Sequence, residues 1–472
     1  MPLLASVLRT DRYSRSFPFH TAALCCQATL RARILLLVLT LPAVTAFSQA
    51  NPISIELALD TAQTQLAELE TRYGSNSPEL IETLEALADI LMQREAFDEA
   101  HYLLDRAQQI VRVEEGLYTH SQYRLLHKKI ANHMNASNWL SARQLQDHLY
   151  WLFTRRNPRP NQSLIDTLLL SSDLHLRGAT QDDPAYQGYH YRRAETLNRF
   201  AIVVAEAAWS PLDPRHADLL YLQLKHSYLQ ALALQKPGPG GRSLRSTTDG
   251  EQYLLEVDLL LPLHRGNGYL YLQKLREFFL DREQPDNEAA AMMTLYTADW
   301  QVLFGQREQA VDSYAQAHTE LLRAGVSESD LEMLFDQPAL IPARELSVTV
   351  ATALHKRSDR QRPLIALYDG PVQLSSHTEQ PARTESLESV ESFAPLASFT
   401  FRLAGLGKAS PWRSGPTLGV AQDLNLIDSA IASERDQFEL SENLQSFRFR
   451  PRLVRGSPAP VEGVFTYLVA ID

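Results

Sequence analysis

Ala100, Leu104 and Ala107 lie four and three residues apart in QREAFDEAHYLLDRA (residues 93–107), which places all three on one face of a helix. Two small side chains on that face let a second helix approach closely, so the stretch specifies stacking before it specifies chemistry. Residues 93–97 read as the turn ahead of that helix. Shifting the chain by 42 residues aligns Ala58 with Ala100 and Ala142, Gly74 with Gly116, and Phe97 with Trp139. Small, turn and aromatic residues coinciding at one period predict a repeat of paired helices. Leu84, Leu87, Ala88 and Leu91 form the apolar face of a first helix. Leu126 and Ile130 do so in the next unit, followed by Trp139, Ala142 and Leu149.

From residue 156 to 290 the period is lost, but helix-spaced apolar faces continue over 164–176, 189–208, 214–235, 253–263, 269–282 and 287–304. Asp213 before Pro214, and Asp286, are expected helix starts. Loops are expected at 157–162 and at 236–250, where PGPGGR breaks any regular element. After Asp359 the helical pattern fades, and 371–395 is rich in Ser, Glu, Thr and Pro, the composition of a linker. SFTFRL (398–403) and VEGVFTYLVAI (461–471) alternate as strands do, with one helix expected over 437–446 between them.

The expected fold is mainly α: a right-handed helical solenoid followed by a small α+β domain. Residues 51–155 carry the repeats, and 156–340 form an irregular continuation with a repeat-like unit at 291–325. Residues 341–394 are the linker region and 395–472 the α+β domain.

The first fifty residues stand apart. Arginines at 9, 12, 15, 31 and 33 precede the apolar run ILLLVLTLPAV (34–44), followed by small residues, the order of a secretory signal. Cleavage after Ala46 or after Ala50 fits, and Ala50 is preferred. The run is shorter than the about 20 residues that span a bilayer, and it contains Pro42. An uncleaved anchor is the alternative. Cys25 and Cys26 lie ahead of the run and would leave with it, so the mature fold is expected to rest on packing alone. The formal charge of −11, less the leader's five arginines and one aspartate, becomes −15 for the remainder. So acidic a chain is a poor partner for nucleic acid.

The 42-residue units resemble the tetratricopeptide repeat in the longer form found in kinesin light chains. In ADWQVLFGQREQAVDSYAQAHTELLRAG (298–325), Ala298, Gly305, Ala310, Tyr314 and Ala317 occupy the small, turn and packing positions of the ordinary form. The usual proline after the second helix is absent. In that family the first helix of each unit lines a concave face that holds a peptide or a partner helix. The resemblance places Glu82, Glu85, Asp89 and Gln93 on that face in one unit, and Arg124, His127 and Asn135 in the next.

Residues 443–470, with the core FRFRPRLVRG (447–456), resemble the C-terminal domain of TonB-type energy transducers. This implies an envelope location and a final strand with an open edge that captures an extended peptide. Gly463, Phe465, Tyr467 and Val469 would share one face of that strand. A transducer of that family keeps its N-terminal helix in the inner membrane and carries a long proline-rich spacer, and neither matches this chain. Such an anchored transducer is the alternative to a periplasmic scaffold.

No catalytic, cofactor or metal site is nominated. HExxH and GxSxG are missing, and His127 and His133, six apart, face different sides of a helix, as do Asp173 and His175, two apart. The histidines are expected at the surface. GLGKAS (405–410) has Arg402 where a phosphate loop needs its first glycine. Arg448, Arg450 and Arg452 would share one strand face, meeting acidic lipid, peptidoglycan, the acidic helices or solvent. The expected partners are proteins or peptides of the cell envelope, with membrane contact only if the leader is retained.

Overall fold

The computed structural model describes residues 52–117, 119–156, 159–235, 250–343, 345–358, 392–405, 418–429 and 433–471. The leader with both cysteines, most of the expected linker, most of 236–250 and the GLGKAS loop beyond Gly405 lie outside these residues. The chain is mainly helical with a small strand-containing C-terminal region. It divides into two compact units, one reaching Leu174 and including Val203–Ala208, the other comprising His175–Ile202 and Trp209–Asp472. Among the described residues no helix is long and apolar enough to cross a membrane.

In the first unit, α1 (Pro52–Tyr73) leads through a short 3-10 turn to α2 (Ile81–Gln93), α3 (Phe97–Glu115), α4 (Ser121–Asn135) and α5 (Trp139–Arg156). α2 packs on α3, α3 on α4 and α4 on α5. The 42-residue shift holds in the backbone. Ala96 N–H donates to Leu91 O at 2.9 Å, and Asn138 N–H to His133 O at 2.8 Å. Glu95 and Ser137 occupy the same place in their turns with φ of 59° and 56°. Gly74 and Gly116 end α1 and α3 at φ of 90° and 100°, where a Cβ would be strained. Ala100 and Ala142 are both 0% exposed, as close stacking requires. Ala58 is exposed on α1, and the neighbouring Leu59 is the buried residue, so on α1 the period holds at the Gly74 terminus and not at the packing face.

α6 (Gln162–Gln181) and α7 (Gln187–Ala208) are each divided between the units. The second unit continues with α8 (Arg215–Gln235), α9 (Gly250–Leu280), α10 (Asn287–Leu303), α11 (Arg307–Arg323), α12 (Glu328–Phe335), β1 (Ala339–Ile341) and α13 (Val350–Ser358). Asp286 caps α10 by accepting from Ala289 N–H, and Asp213 accepts from Arg215 N–H ahead of α8. The α10–α11 pair has the expected packing: Ala298, Ala310, Tyr314 and Ala317 are fully buried, and Gly305 turns at φ 69°.

One helix replaces the two expected over 253–263 and 269–282. α9 runs unbroken through Pro262, Gly266 and Gly268. Of the two glycines in this stretch, Gly268 serves packing: a Cβ on it would lie 2.0 Å from the Trp300 ring. Trp300 Nε1–H also donates to Arg265 O at 3.0 Å, fastening α10 to that stretch of α9.

The C-terminal strands are β2 (Ser392–Leu403), β3 (Ala421–Ser429), β4 (Arg448–Arg450), β5 (Arg452–Val454), β6 (Ser457–Ala459) and β7 (Val461–Ile471), with α14 (Glu434–Ser446) between β3 and β4. Three of them form an antiparallel sheet in the order β3-β2-β7. Phe399, Phe401 and Leu403 point inward and Arg402 outward, the alternation read from SFTFRL.

The single strand expected to carry Arg448, Arg450 and Arg452 is cut at Pro451, which has no N–H for a ladder. β4 pairs with β1, far upstream, and β5 pairs with β6. The three arginines therefore do not share a face. Arg450 is buried on Asp299 of α10, Arg452 reaches Asp336 at 3.3 Å, and Arg448 donates to the carbonyls of Gln445 and Phe447. Leu418 and Leu453 belong to the same core as Trp300, Tyr314 and Phe335, so strand region and helices share one interior.

Candidate partner-binding site

The residues expected on the concave face fall on α2 and α4, and a ladder of opposite charges joins these helices. Arg124 Nη2 lies 2.6 Å from Glu85 Oε1, Lys128 Nζ 3.5 Å from Glu85 Oε2, and Lys128 Nζ 2.5 Å from Asp89 Oδ2. Glu82, Gln93, Arg124 and Asn135 are exposed and Asp89 is half-buried. Glu85 is turned inward, its side chain 5% exposed. Arg124 is well exposed, so its pair with Glu85 contributes less than about 1 kcal/mol to stability. Its larger effect is to hold long side chains in one arrangement before a partner arrives.

His127 is not part of that surface. It is 6% exposed, with Nε2 2.7 Å from Ser171 Oγ. The pair has the makings of a nucleophile and its base, but its polarity is reversed. Ser171 Oγ donates to Thr167 O at 2.8 Å, so the imidazole N–H donates to the hydroxyl and does not take its proton. Burial lowers the His127 pKa to about 4.

A testable consequence follows for acid stability. The folded pKa lies below that of the unfolded chain, so the unfolded state takes up a proton that the folded state refuses. Stability is complete above pH 6.5 and is lost as pH falls toward 4. Between pH 7 and 5, His127 alone accounts for about 2 kcal/mol. In urea unfolding at these two pH values, His127→Gln should show a pH dependence smaller by that amount; an unchanged dependence would place the imidazole in water.

Histidines expected at the surface are in fact often interior: His127, His175, His190, His216, His226 and His264 are all buried. Three buried groups form a relay in the second unit. His190 Nε2 lies 3.0 Å from Asp182 Oδ2, and His190 Nδ1 lies 3.1 Å from His175 Nδ1. Gly178 makes room, since a Cβ there would sit 2.5 Å from the His190 ring. Burial, then the charges of His190 and Arg193, hold the His175 pKa well below its usual value, so the neutral imidazole is favoured at His175. The sequence hid this cluster because Asp182 and His190 are eight residues apart across the 3-10 turn Pro184–Tyr186.

At the last strand, Gly463 is a packing residue. It stands opposite Phe401, and a Cβ would lie 2.6 Å from that ring. The backbones of Phe465, Tyr467 and Val469 pair with β2 in register, and their side chains lie outside the described residues. β7 is an outer strand of its sheet, and no strand covers its second edge among the described residues.

The described residues contain no cluster of His, Cys, Asp and Glu able to hold a metal ion. No protein-family model matches the chain. No curated protein gives a significant match to it.

Proposed function

We propose that this protein is a non-catalytic periplasmic scaffold or adaptor that binds envelope proteins or peptides. In this reading the stacked helices form a right-handed solenoid of tetratricopeptide type, and the C-terminal strands form a TonB-like region. The observation that carries the reading is the α2/α4 face. First helices of successive hairpins place Glu82, Gln93, Arg124 and Asn135 at the surface, above a ladder that fixes their neighbours. Such a face suits a polar, extended partner. The outer edge of β7 offers a second means of capture, by strand addition.

Two measurements test this. Full-length protein is used as bait in envelope extracts beside the double variant Glu82→Lys, Arg124→Glu, with matched melting temperatures. Loss of partners on the variant is the expected result, and full retention removes the face from consideration. Sequencing of the mature N-terminus separates the alternatives: a start after Ala46 or Ala50 fits a periplasmic scaffold, and an intact leader fits an anchored, TonB-related transducer.

A further inference from the structure

A groove in the first unit lies apart from the α2/α4 face and was not foreseen in the sequence. A cavity of about 620 Å³ is lined by α3 and α5, with α4 contributing Leu126 and Lys129 at its floor. Both floor residues are buried, and α4 packs against α3 on one side and α5 on the other. Arg106, Arg112 and Lys129 line it against a single carboxylate, Asp105.

Two of these cations are already matched. Arg106 pairs with Glu70 at 2.5 Å, and Lys129 with Asp105 at 2.5 Å. Arg112 is the cation in excess. Only its Nε is engaged, with Gln122 Oε1 at 3.2 Å, and both Nη groups are uncommitted among the described residues. Burial, followed by the charges of Arg112 and Lys129, lowers the pKa of His148 in the wall, so the imidazole adds no permanent charge.

A second observation points to a ligand. Gln108, 3% exposed, accepts from Lys129 through Oε1, while its Nε2 has no hydrogen-bond partner. A buried amide donor left unmatched in a groove wall costs about 1–3 kcal/mol until something accepts from it. Tyr102 in the lining is 68% exposed and offers an aromatic surface about 15 Å along α3 from Arg112, a span that an extended segment covers in about four or five residues.

We propose that this groove binds an extended acidic peptide segment. Its carboxylate forks onto Arg112, its main-chain carbonyl accepts from Gln108, and an apolar side chain rests on Tyr102. A single excess cation with a carboxylate beside it suits a peptide with one or two acidic residues. A phosphate backbone would meet Asp105 and a chain of net charge −11. The proposal adds a site to the scaffold reading and does not depend on the α2/α4 face.

The test is fluorescence anisotropy on the full chain with a labelled peptide of alternating glutamate and alanine around one leucine. The same peptide with lysine for glutamate, and oligothymidylate, serve as comparisons. Binding of the glutamate peptide alone is expected, weakening with added salt. Affinity should fall at least about tenfold in Arg112→Glu and in Tyr102→Ala, and stay unchanged in Arg323→Glu, at an exposed position of the second unit. Tyr102 is so exposed that its variant keeps the fold, which preserves the test if Arg112→Glu unfolds. No binding, equal binding of the lysine peptide, tighter binding of oligothymidylate, or loss confined to Arg323→Glu overturns the proposal.

Discussion

Arg450→Ala is expected to lower the melting temperature of the second unit by roughly 10 °C, corresponding to a loss of about 3–5 kcal/mol. Arg450 is 7% exposed and Asp299 3% exposed. The guanidinium grips the carboxylate with two bonds, Nε to Oδ1 at 2.9 Å and Nη2 to Oδ2 at 2.5 Å, and Tyr314 donates to Oδ1 at 2.9 Å. Burial, then the Asp299 charge, raises the Tyr314 pKa well above its usual value, so the phenol stays protonated and remains a donor. Removing the guanidinium leaves a carboxylate in the core with one neutral donor. Most of the loss comes from that stranded charge and little from the attraction itself.

Two companion variants make the argument specific. Arg450→Lys should recover only part of the stability, because an ammonium cannot reproduce the fork. Asp299→Leu combined with Arg450→Met should come near the wild type, because no charge is left stranded. Thermal unfolding by circular dichroism reads all of these. An Arg450→Ala melting curve that overlays the wild type would mean the pair is solvated.

The second large effect is expected at the α9–α10 contact. Trp300 is 1% exposed and packs on Phe304 with ring centroids 4.8 Å apart. Trp300→Ala should cost about 3–5 kcal/mol through the cavity it leaves. Gly268→Ala approaches the same contact from the other side. Its methyl would meet Trp300 Cζ2 at 2.0 Å and Cε2 at 2.1 Å, forcing the helices apart at a cost of about 1–3 kcal/mol or more. Phenylalanine lacks the outer atoms of the indole. Gly268→Ala should therefore cost clearly less in a Trp300→Phe background than in the wild type. Urea denaturation of the four proteins gives the coupling, and additive costs would disprove the contact.

What could be read from the sequence was local. The 42-residue shift, the glycine helix ends, the α10–α11 pair and the two alternating strands all follow from spacing within one element or one turn. Of the candidate face, Glu82, Gln93, Arg124 and Asn135 are exposed. Glu85 and His127, on the same helices, are buried, Glu85 with Arg124 and Lys128 as partners and His127 with Ser171. What could not be read depends on distant residues. α9 reads as two helices, and the packing that accounts for Gly268 inside one of them is supplied by Trp300, 32 residues on. Arg450 looked like one of a basic row because Asp299 is 151 residues away. A helix period reports which side of an element is apolar, and is silent about which buried polar group will find a partner.

That long separation matters for synthesis in the cell. At about 5–20 residues per second, translation leaves the Asp299 carboxylate waiting roughly 8–30 s for its guanidinium. The first unit can complete its interior in that interval, while α10 holds an unmatched charge that keeps its surroundings hydrated.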